Sequence, residues 1–429
     1  MLDLPNAIPG PHNIVTGELS NGLRVWVYEN FETQTVSLQG YAPGGSINES
    51  PEQAGLANLT SVMLRRGTLK HDFDALNEAV EGMGASFDFD TGRHSFGFDA
   101  YSLAEDFGDV LGLLAESLII PAFPEDELAK SRSRILTRLN EQRHSTRAMA
   151  DRTFRKHLYP PGHPYRESLL GRPETVKRLT RDHLVHFYEE KVDPSKGVVV
   201  VVGAIAAEEA LTKLEQALGG WRHPRARPNR AIPPRPVLPG KIEVDVMVQG
   251  KSQSDIIIGW PGITRTDPDY YPMLVCNAIL GRFGTGGRLG RRIRKELGLA
   301  YYAYSTFSAN FGAGVWKAGA GVNPVNIEKT VAAILEEIAR ITAEPVTVEE
   351  LTDVQSNLTG SLPLRLETNT GIGSYLLIMA WYDLGMDYLM RYGARIRAVG
   401  VEDVLRVAQT YLSVDAYVLA IAGPTREGA

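Results

Sequence analysis

A single break in composition divides this chain. Residues 222–240 are dense in proline and arginine and have no apolar period, which is typical of an extended, semi-rigid linker. A chain of 429 residues is too long for one hydrophobic core, so two or more domains are expected. The linker therefore predicts an N-terminal domain over residues 1–221 and a C-terminal domain over 241–429. Its arginines could also form an anion-binding patch, but the composition favours a solvated linker.

The two halves follow the same order of patterns. Each begins with extended segments, passes through a Pro/Gly turn into helical periodicity, and ends in a buried strand that finishes with glycine. The opening segments are 23–28, 36–41, 241–248 and 255–260, and the closing strands are 198–203 and 417–423. Runs of strands followed by runs of helices favour an α+β sandwich over alternating βαβ units. We therefore predict two copies of one α+β domain, each a mainly antiparallel sheet covered by helices.

Composition limits the possible functions. A hydrophobic content of 43% and a charged content of 22% are typical of a globular protein. The net charge of −6 argues against nucleic acid as a partner. The N-terminal residues show no signal-peptide pattern, and no window approaches about 18 consecutive apolar residues, so we expect a cytoplasmic protein that does not span a membrane. The one cysteine, Cys276, lies in an apolar run that predicts a buried structural thiol.

The segment Ala54–Thr68 keeps the frame of a known motif without its chemistry. It reads AGLANLTSVMLRRGT and resembles the G-L-A-H-x-x-E-H-x-x-x-x-G-T segment of the pitrilysin/insulinase zinc metallopeptidases. By this resemblance, Asn58, Ser61 and Val62 stand in place of the first zinc-binding His, the general-base Glu and the second His. On a helix these positions share one face, which lets two imidazoles bind a metal while the Glu activates its water. We predict the scaffold of a zinc peptidase without its zinc.

The resemblance also implies a third zinc ligand, a Glu on a later helix. Arg138 stands at that position, and a guanidinium cannot be deprotonated and repels a dication. Glu141 would be the equivalent only after a three-residue shift. His183 and His186 have a spacing that could suit a metal, but the apolar residues around them favour a packed helix. We therefore expect no metal or other cofactor in this chain.

The second half carries the other part of the resemblance. Residues 287–301 read GRLGRRIRKELGLAY and closely resemble the family segment with an Arg/Tyr pair, which in active members binds the backbone of the scissile peptide. This implies that Arg294 and Tyr301 bind substrate. Gly298 is expected to end the helix as a left-handed cap, so that both side chains point into one cavity. Alternatively, Tyr301 is one of several strand aromatics and Arg294 one of several cations at a helix end.

A glycine-rich stretch, Gly281–Gly287, precedes this pair. It lacks the G-x-x-x-x-G-K-[ST] pattern of a nucleotide site, so we interpret it as a flexible loop. It is similar in placement to the glycine-rich loop of the zinc-less subunits of mitochondrial processing peptidase, which takes part in substrate handling.

The resemblance as a whole implies a non-catalytic, substrate-binding subunit of a heterodimeric zinc endopeptidase from the processing-peptidase-like bacterial branch. A homologous HxxEH-bearing subunit would supply the zinc, and this chain would supply Arg294 and Tyr301 and bind peptides or unfolded chains by strand addition. Two alternatives stay open. One is a structural assembly protein like the core subunits of the respiratory cytochrome reductase. The other is a peptide-binding homodimer without catalysis.

Overall fold

The computed structural model describes residues 8–282 and 286–424, without the side chain of Arg282. The first seven residues, which bear on the targeting prediction, and residues 283–285 of the glycine-rich stretch lie outside the described residues. The described chain forms two compact units. Unit 1 comprises the described residues up to Thr137 together with Ser168–Ala231 and Leu362–Arg391, and unit 2 comprises Arg138–Glu167, Ile232–Ser361 and the described residues from Tyr392.

Each unit is built on one sheet. The strands are β1 (Ile14–Glu18), β2 (Arg24–Glu29), β3 (Thr35–Pro43), β4 (Ser86–Thr91), β5 (Ser95–Leu103), β6 (Val198–Gly203), β7 (Ile242–Met247), β8 (Ser254–Pro261), β9 (Ala300–Phe307), β10 (Val315–Val322) and β11 (Val418–Gly423). The sheet of unit 1 has the order β1-β2-β6-β3-β5-β4, and that of unit 2 has the order β7-β11-β8-β10-β9. The predicted strands at the ends of the two halves, β6 and β11, are buried along their whole length.

The two sheets share one topology. Without β1, the strands of unit 1 correspond one by one to those of unit 2, and the order places β4 and β9 as equivalent edge strands. In each sheet one neighbouring pair is parallel, β2 with β6 and β7 with β11, and the remaining pairs are antiparallel. The predicted α+β class and its two similar, mainly antiparallel sheets are confirmed.

Helices cover both sheets. They are α1 (Leu56–Leu64), α2 (Phe73–Gly82), α3 (Phe107–Ile119), α4 (Glu125–Arg143), α5 (Thr146–Leu158), α6 (Pro173–Val176), α7 (Arg181–Lys191), α8 (Ala207–Leu218), α9 (Tyr270–Asn277), α10 (Gly290–Glu296), α11 (Ile327–Ala343), α12 (Val348–Arg365), α13 (Asn369–Trp381), α14 (Tyr388–Arg397) and α15 (Val401–Tyr411). The helix α10 is π-helical. Among residues 8–282 and 286–424, no helix combines the length and apolar character that crossing a membrane requires.

Each half of the chain contributes one helix to the other unit. In unit 2, Ala150, Phe154 and Leu158 of α5 form an apolar stripe that packs in one buried cluster with Ile257 of β8 and Ala420 of β11. In unit 1, α13 packs on β3 and β6. A cut at the linker therefore does not reproduce the compact units, because these two helices are exchanged. The boundaries 1–221 and 241–429 describe the halves of the chain and stay a prediction about its repeated domains.

The linker is extended but not free. Residues 222–240 contain neither helix nor strand. The part up to Ala231 belongs to unit 1, where Asn229 Nδ2 donates to the His94 carbonyl at 3.1 Å. The part from Ile232 belongs to unit 2, where Arg235 Nη2 donates to the Pro261 carbonyl at 3.0 Å. Side-chain hydrogen bonds thus hold a segment for which composition alone predicts solvation.

Candidate functional site

The degenerate motif lies on α1, next to the edge strand β4 of unit 1. The helix starts after Gly55, whose φ of 98° is in the left-handed region. The buried carboxylate of Glu49 fixes this start, because it accepts hydrogen bonds from Gly55 N at 3.1 Å and from Ala57 N at 2.7 Å. A carboxylate at a helix N-terminus also favours the positive end of the helix dipole. Sequence reasoning missed Glu49, although an acidic residue shortly before a helix start is a usable signal.

The three substituted positions have no metal-binding arrangement. Asn58 and Val62 are half-buried, whereas Ser61 is buried and its hydroxyl donates to the Asn58 carbonyl at 2.9 Å. One further turn along the same face, Arg65 Nε donates to the Phe87 carbonyl at 3.0 Å, and its guanidinium carbon lies 4.1 Å from the centre of the Phe87 ring. Burial lowers the pKa of Arg65. A zinc ion does not fit here, since the face offers an amide, an occupied hydroxyl, an isopropyl group and a guanidinium.

The other positions considered for a metal have different surroundings. Arg138 and Glu141 are exposed and lie in the C-terminal part of α4. His183 Nδ1 accepts from Thr180 N at 3.2 Å at the start of α7, and His186 Nδ1 donates to the Asp182 carbonyl at 2.6 Å. Within the ranges 8–282 and 286–424, no three His, Cys, Asp or Glu side chains are grouped to hold a metal ion.

In unit 2, a helix and an edge strand meet at Gly298. Its φ of 61° confirms the predicted left-handed cap of α10. Leu299 N donates to the Ile293 carbonyl at 2.9 Å, so the chain closes back over the helix end and turns directly into β9. Arg294 lies in the last turn of α10 with its side chain exposed.

Tyr301 is aimed outward by a β-bulge. Val322 of β10 pairs with Ala300, and the next residue, Gly321, pairs with Tyr302, so Tyr301 is an extra residue in the edge strand. Bulges re-aim side chains and are frequent next to active sites. As a result, Tyr301 is 77% exposed although its strand neighbours are at least half-buried. No pattern within the strand predicts this bulge, and the joint role of Arg294 and Tyr301 stays a prediction.

A buried ion pair anchors the start of this helical segment. Arg288 is 7% exposed, and its Nε and Nη2 donate to Glu350 Oε1 at 2.8 Å and Oε2 at 2.7 Å. These bonds from Arg288 lower the pKa of Glu350 to about 2. Such two-pronged pairs are geometrically specific, so Glu350 fixes the direction of the segment that carries Arg294. Sequence reasoning also missed this pair, which joins residues far apart in the chain.

Glycines close the base of the preceding loop. A Cβ added to Gly287 would lie 2.4 Å from Gly281 Cα, so the two ends of the stretch approach too closely for any side chain at 287. The predicted role of the loop itself stays untested, because residues 283–285 lie outside the described residues.

These features define a two-domain metallopeptidase scaffold whose metal-binding residues are replaced. The family model described as "Insulinase (Peptidase family M16)" matches residues 24–162, and the one described as "Peptidase M16 inactive domain" matches residues 178–358. The chain therefore belongs to the M16 peptidase family.

Individual relatives agree with this assignment. An uncharacterized zinc protease of Streptomyces coelicolor is 24% identical, with 98% of this chain and 92% of the relative covered. A non-peptidase homolog, YmxG, of Helicobacter pylori is 27% identical over 76% of this chain and 74% of its own length. The crystal structure of a peptidase M16 inactive domain from Pseudomonas fluorescens superposes with a TM-score of 0.89 at 26% identity, covering 96% of this chain and 98% of that one.

Proposed function

We propose that this chain is the non-catalytic, peptide-binding subunit of a two-chain M16 endopeptidase. A homologous partner with an intact HxxEH motif would hold the zinc and the general base, and this chain would bring Arg294 and Tyr301 to the same peptide. The observation that carries the proposal is the β-bulge that turns Tyr301 outward, directly after the helix that ends near Arg294. The name of the Helicobacter pylori relative, a non-peptidase homolog, also supports a chain without its own catalysis.

Edge strands offer a place for the peptide backbone. β4 and β9 are the last strands of their sheets, so within each described sheet one side of each strand has no neighbouring strand. An extended peptide can add to such an edge through main-chain hydrogen bonds, which give affinity with little sequence preference. Since Tyr301 belongs to β9, a peptide lying along β9 would have its backbone beside the phenol.

The pair has a chemical role that needs no metal in this chain. When water attacks a peptide carbonyl, the carbonyl oxygen gains negative charge, and a fixed donor beside it lowers the barrier. The Tyr301 hydroxyl can donate to that oxygen, and the Arg294 guanidinium carries several N–H donors for neighbouring peptide carbonyls. The isolated chain is thus expected to bind peptides without hydrolysing them.

Steady-state peptide hydrolysis by a mixture of this chain and an HxxEH-bearing M16 chain from the same organism tests the proposal. Tyr301→Phe removes only the hydroxyl and should lower kcat on the order of 100-fold, the usual cost of one oxyanion donor. Arg294→Ala should also raise KM, because it removes donors to the bound backbone. Together the two changes should cost less than the sum of their separate effects, since both act on one peptide.

Controls separate this role from a structural one. Tyr101→Phe removes the hydroxyl of another exposed tyrosine, on β5, and should leave the rate unchanged. Gel filtration should show the same association of the two chains for every variant. Full activity of both Arg294→Ala and Tyr301→Phe would reject the proposed pair and favour a structural assembly subunit.

A further inference from the structure

Unit 2 contains a small pocket between α9 and the far end of the edge strand β9. Its volume is about 210 Å³, and its lining residues are Tyr270, Leu274, Asn277, Thr306, Phe307 and Ala309. An engineered apolar cavity of about 150 Å³ holds a benzene ring, so this pocket has room for one amino-acid side chain. Its walls mix apolar and polar groups, and Asn277 places a carboxamide against it.

A chain of buried hydrogen bonds fixes the orientation of the Asn277 amide. Trp316 Nε1 donates to Ser305 Oγ at 3.1 Å, and the Ser305 hydroxyl donates to Asn277 Oδ1 at 2.8 Å. The reverse orientation of the amide would place its NH₂ group against Ser305 and leave the buried serine proton without this acceptor. The chain of donors therefore assigns Oδ1 to Ser305 and leaves Nδ2 on the other side of the amide.

The Asn277 amide nitrogen is a donor that its hydrogen bond with Ser305 does not use. Asn277 is 2% exposed, and among the residues that the structure describes its Nδ2 has no hydrogen-bond partner. Asn277 lines the pocket, so its amide lies at the wall of the cavity. A donor that the protein leaves without an acceptor at the wall of a narrow cavity favours a ligand that brings one.

Charges around the pocket also favour an acceptor. The guanidinium of Arg265 lies 3.8 Å from the centre of the Tyr270 ring, which forms one wall. The nearest acidic residue along the chain, Asp269, is already bound, since it accepts from Arg406 Nη2 at 2.7 Å and from the Tyr411 hydroxyl at 2.8 Å. These bonds lower the pKa of Asp269 and neutralise its charge locally. An incoming carbonyl or carboxylate oxygen would therefore meet the Asn277 donor in a pocket with a cation stacked on one of its walls.

The pocket lies at a corner of unit 2 that has a topological counterpart in unit 1. α9 follows β8 and packs on β9, just as α1 follows β3 and packs on β4, and the two sheets share one strand order. In unit 1, this corner carries the degenerate motif residues Asn58 and Ser61. The corresponding corner of unit 2 contains a cavity with a buried donor beside an edge strand.

We infer that this pocket binds one carboxamide or carboxylate side chain of a peptide that lies along β9, with Asn277 Nδ2 donating to its carbonyl oxygen. The inference rests on the proposed function for the identity of the ligand as a peptide. Thr306 lies five residues after Tyr301 in the same strand, so one extended peptide of about six residues can reach both, at roughly 3.4 Å per residue. The chain would then select peptides with Asn, Asp, Gln or Glu at one position and be tolerant elsewhere.

The test uses the full chain alone and does not need the partner. A fluorescein-labelled, alanine-based peptide of eight residues is made with Asn at each position in turn, and a second set has Leu, which is similar in shape but has no acceptor. Fluorescence anisotropy should show that at one position the Asn peptide binds about tenfold more tightly than the Leu peptide, the worth of one hydrogen bond to a buried donor. Asp at that position should retain the preference.

Asn277→Leu should abolish the difference between the two peptides, and Asn357→Leu, an exposed asparagine on α12, should leave it intact. If Asn277→Leu does not fold, the side-chain amide signals of Asn277 in the wild-type NMR spectrum give the same answer, since the Asn peptide should shift them and the Leu peptide should not. Equal binding of the Asn and Leu peptides at every position overturns the pocket inference and leaves the proposed function standing. If no peptide of the series binds, the pocket inference also fails, and the proposed function is judged separately by the hydrolysis assay.

Discussion

The outer corners of the two units turn at one matched glycine but differ in the side chains on either side of it. Gly84 lies two residues before β4 with φ of 62°, and Gly298 lies two residues before β9 with φ of 61°. At both positions an added Cβ would meet no atom within 4 Å. Three residues further on, Phe87 is 3% exposed, whereas Tyr301 is 77% exposed.

The difference arises from the backbone as much as from the residue type. β4 pairs with β5 without interruption, so Phe87 keeps its place on the core face. The bulge in β9 breaks the alternation at Tyr301 and restores it afterwards, since Ala303 is again buried. Four residues before each glycine, unit 1 has the buried Val80 and unit 2 the exposed Arg294. The corner of unit 1 thus presents buried apolar side chains at these positions, whereas the corner of unit 2 presents exposed polar ones.

The two units also differ in how the helical segments beside β4 and β9 are anchored, and this predicts the largest effect. Glu350→Gln removes the hydrogen-bonded counter-charge of the 7% exposed Arg288, which should cost about 3 kcal/mol of unfolding free energy at pH 7. Glu49→Gln removes a charge that accepts hydrogen bonds from the backbone N–H groups of Gly55 and Ala57 in unit 1, and it should cost about 1 kcal/mol. Urea unfolding of the two variants measures both values.

Acid should reduce the contribution of Glu350. The hydrogen bonds from Arg288 lower the pKa of Glu350 from 4.5 to about 2. A carboxyl with a lowered folded-state pKa stabilises the fold above its unfolded pKa and loses that contribution as pH falls through the folded value. The gap between wild type and Glu350→Gln should therefore be full at pH 7 and narrow below about pH 4.5. A gap that stays constant between pH 7 and pH 3 would show that the ion pair is not its cause.

Local sequence signals predicted those features of the two units that depend on residues close together in the chain. Composition predicts the division into two halves, and periodicity predicts the order of strands and helices along each half. One glycine predicts the cap at Gly298. The bulge at Tyr301 depends on the register between β9 and β10, which alternation within one strand does not encode. The unit into which α5 or α13 packs depends on which sheet has a face that its own half of the chain does not cover. The orientation of the Asn277 amide on α9 depends on Ser305 of β9 and Trp316 of β10. No single window of the sequence therefore reveals the pocket.

The matched glycines predict a smaller effect that separates stability from function. Gly84→Ala and Gly298→Ala each force an L-residue into the left-handed region without any clash, so each should cost about 1–2 kcal/mol. Only Gly298→Ala should lower peptide hydrolysis by the reconstituted pair of chains, because it lies between Arg294 and Tyr301. The measurements are urea unfolding and steady-state kinetics on the same preparations. Equal loss of activity in both variants would mean that general destabilisation, not the position of the pair, sets the rate.

The smallest predicted effect concerns the faces of the edge strands that point away from the core. In unit 1, Asp88 of β4 lies directly opposite Asp99 of β5. In unit 2, Tyr302 and Tyr304 of β9 share one face of the strand, and the guanidinium of Arg147 lies 5.4 Å from the centre of each ring. Like charges directly opposite each other destabilise a sheet, whereas a cation over aromatic rings stabilises it. Unit 1 should therefore carry a pH-dependent weakness in its sheet that unit 2 lacks.

Asp99→Asn tests this weakness. Burial, together with the charges of Asp88 and Asp90, raises the pKa of Asp99 from 3.8 to about 6. A carboxyl with a raised folded-state pKa contributes stability that is present below its unfolded pKa and is lost as pH rises through the folded value. The variant should match the wild type near pH 4 and exceed it by roughly 0.2–1 kcal/mol at pH 7.5. Thermal unfolding across this range measures the gap, and Asp353→Asn on α12 controls for the loss of one negative charge. A gain that is the same at pH 4 and pH 7.5, or that Asp353→Asn reproduces, would mean that the opposed carboxylates do not weaken the sheet of unit 1.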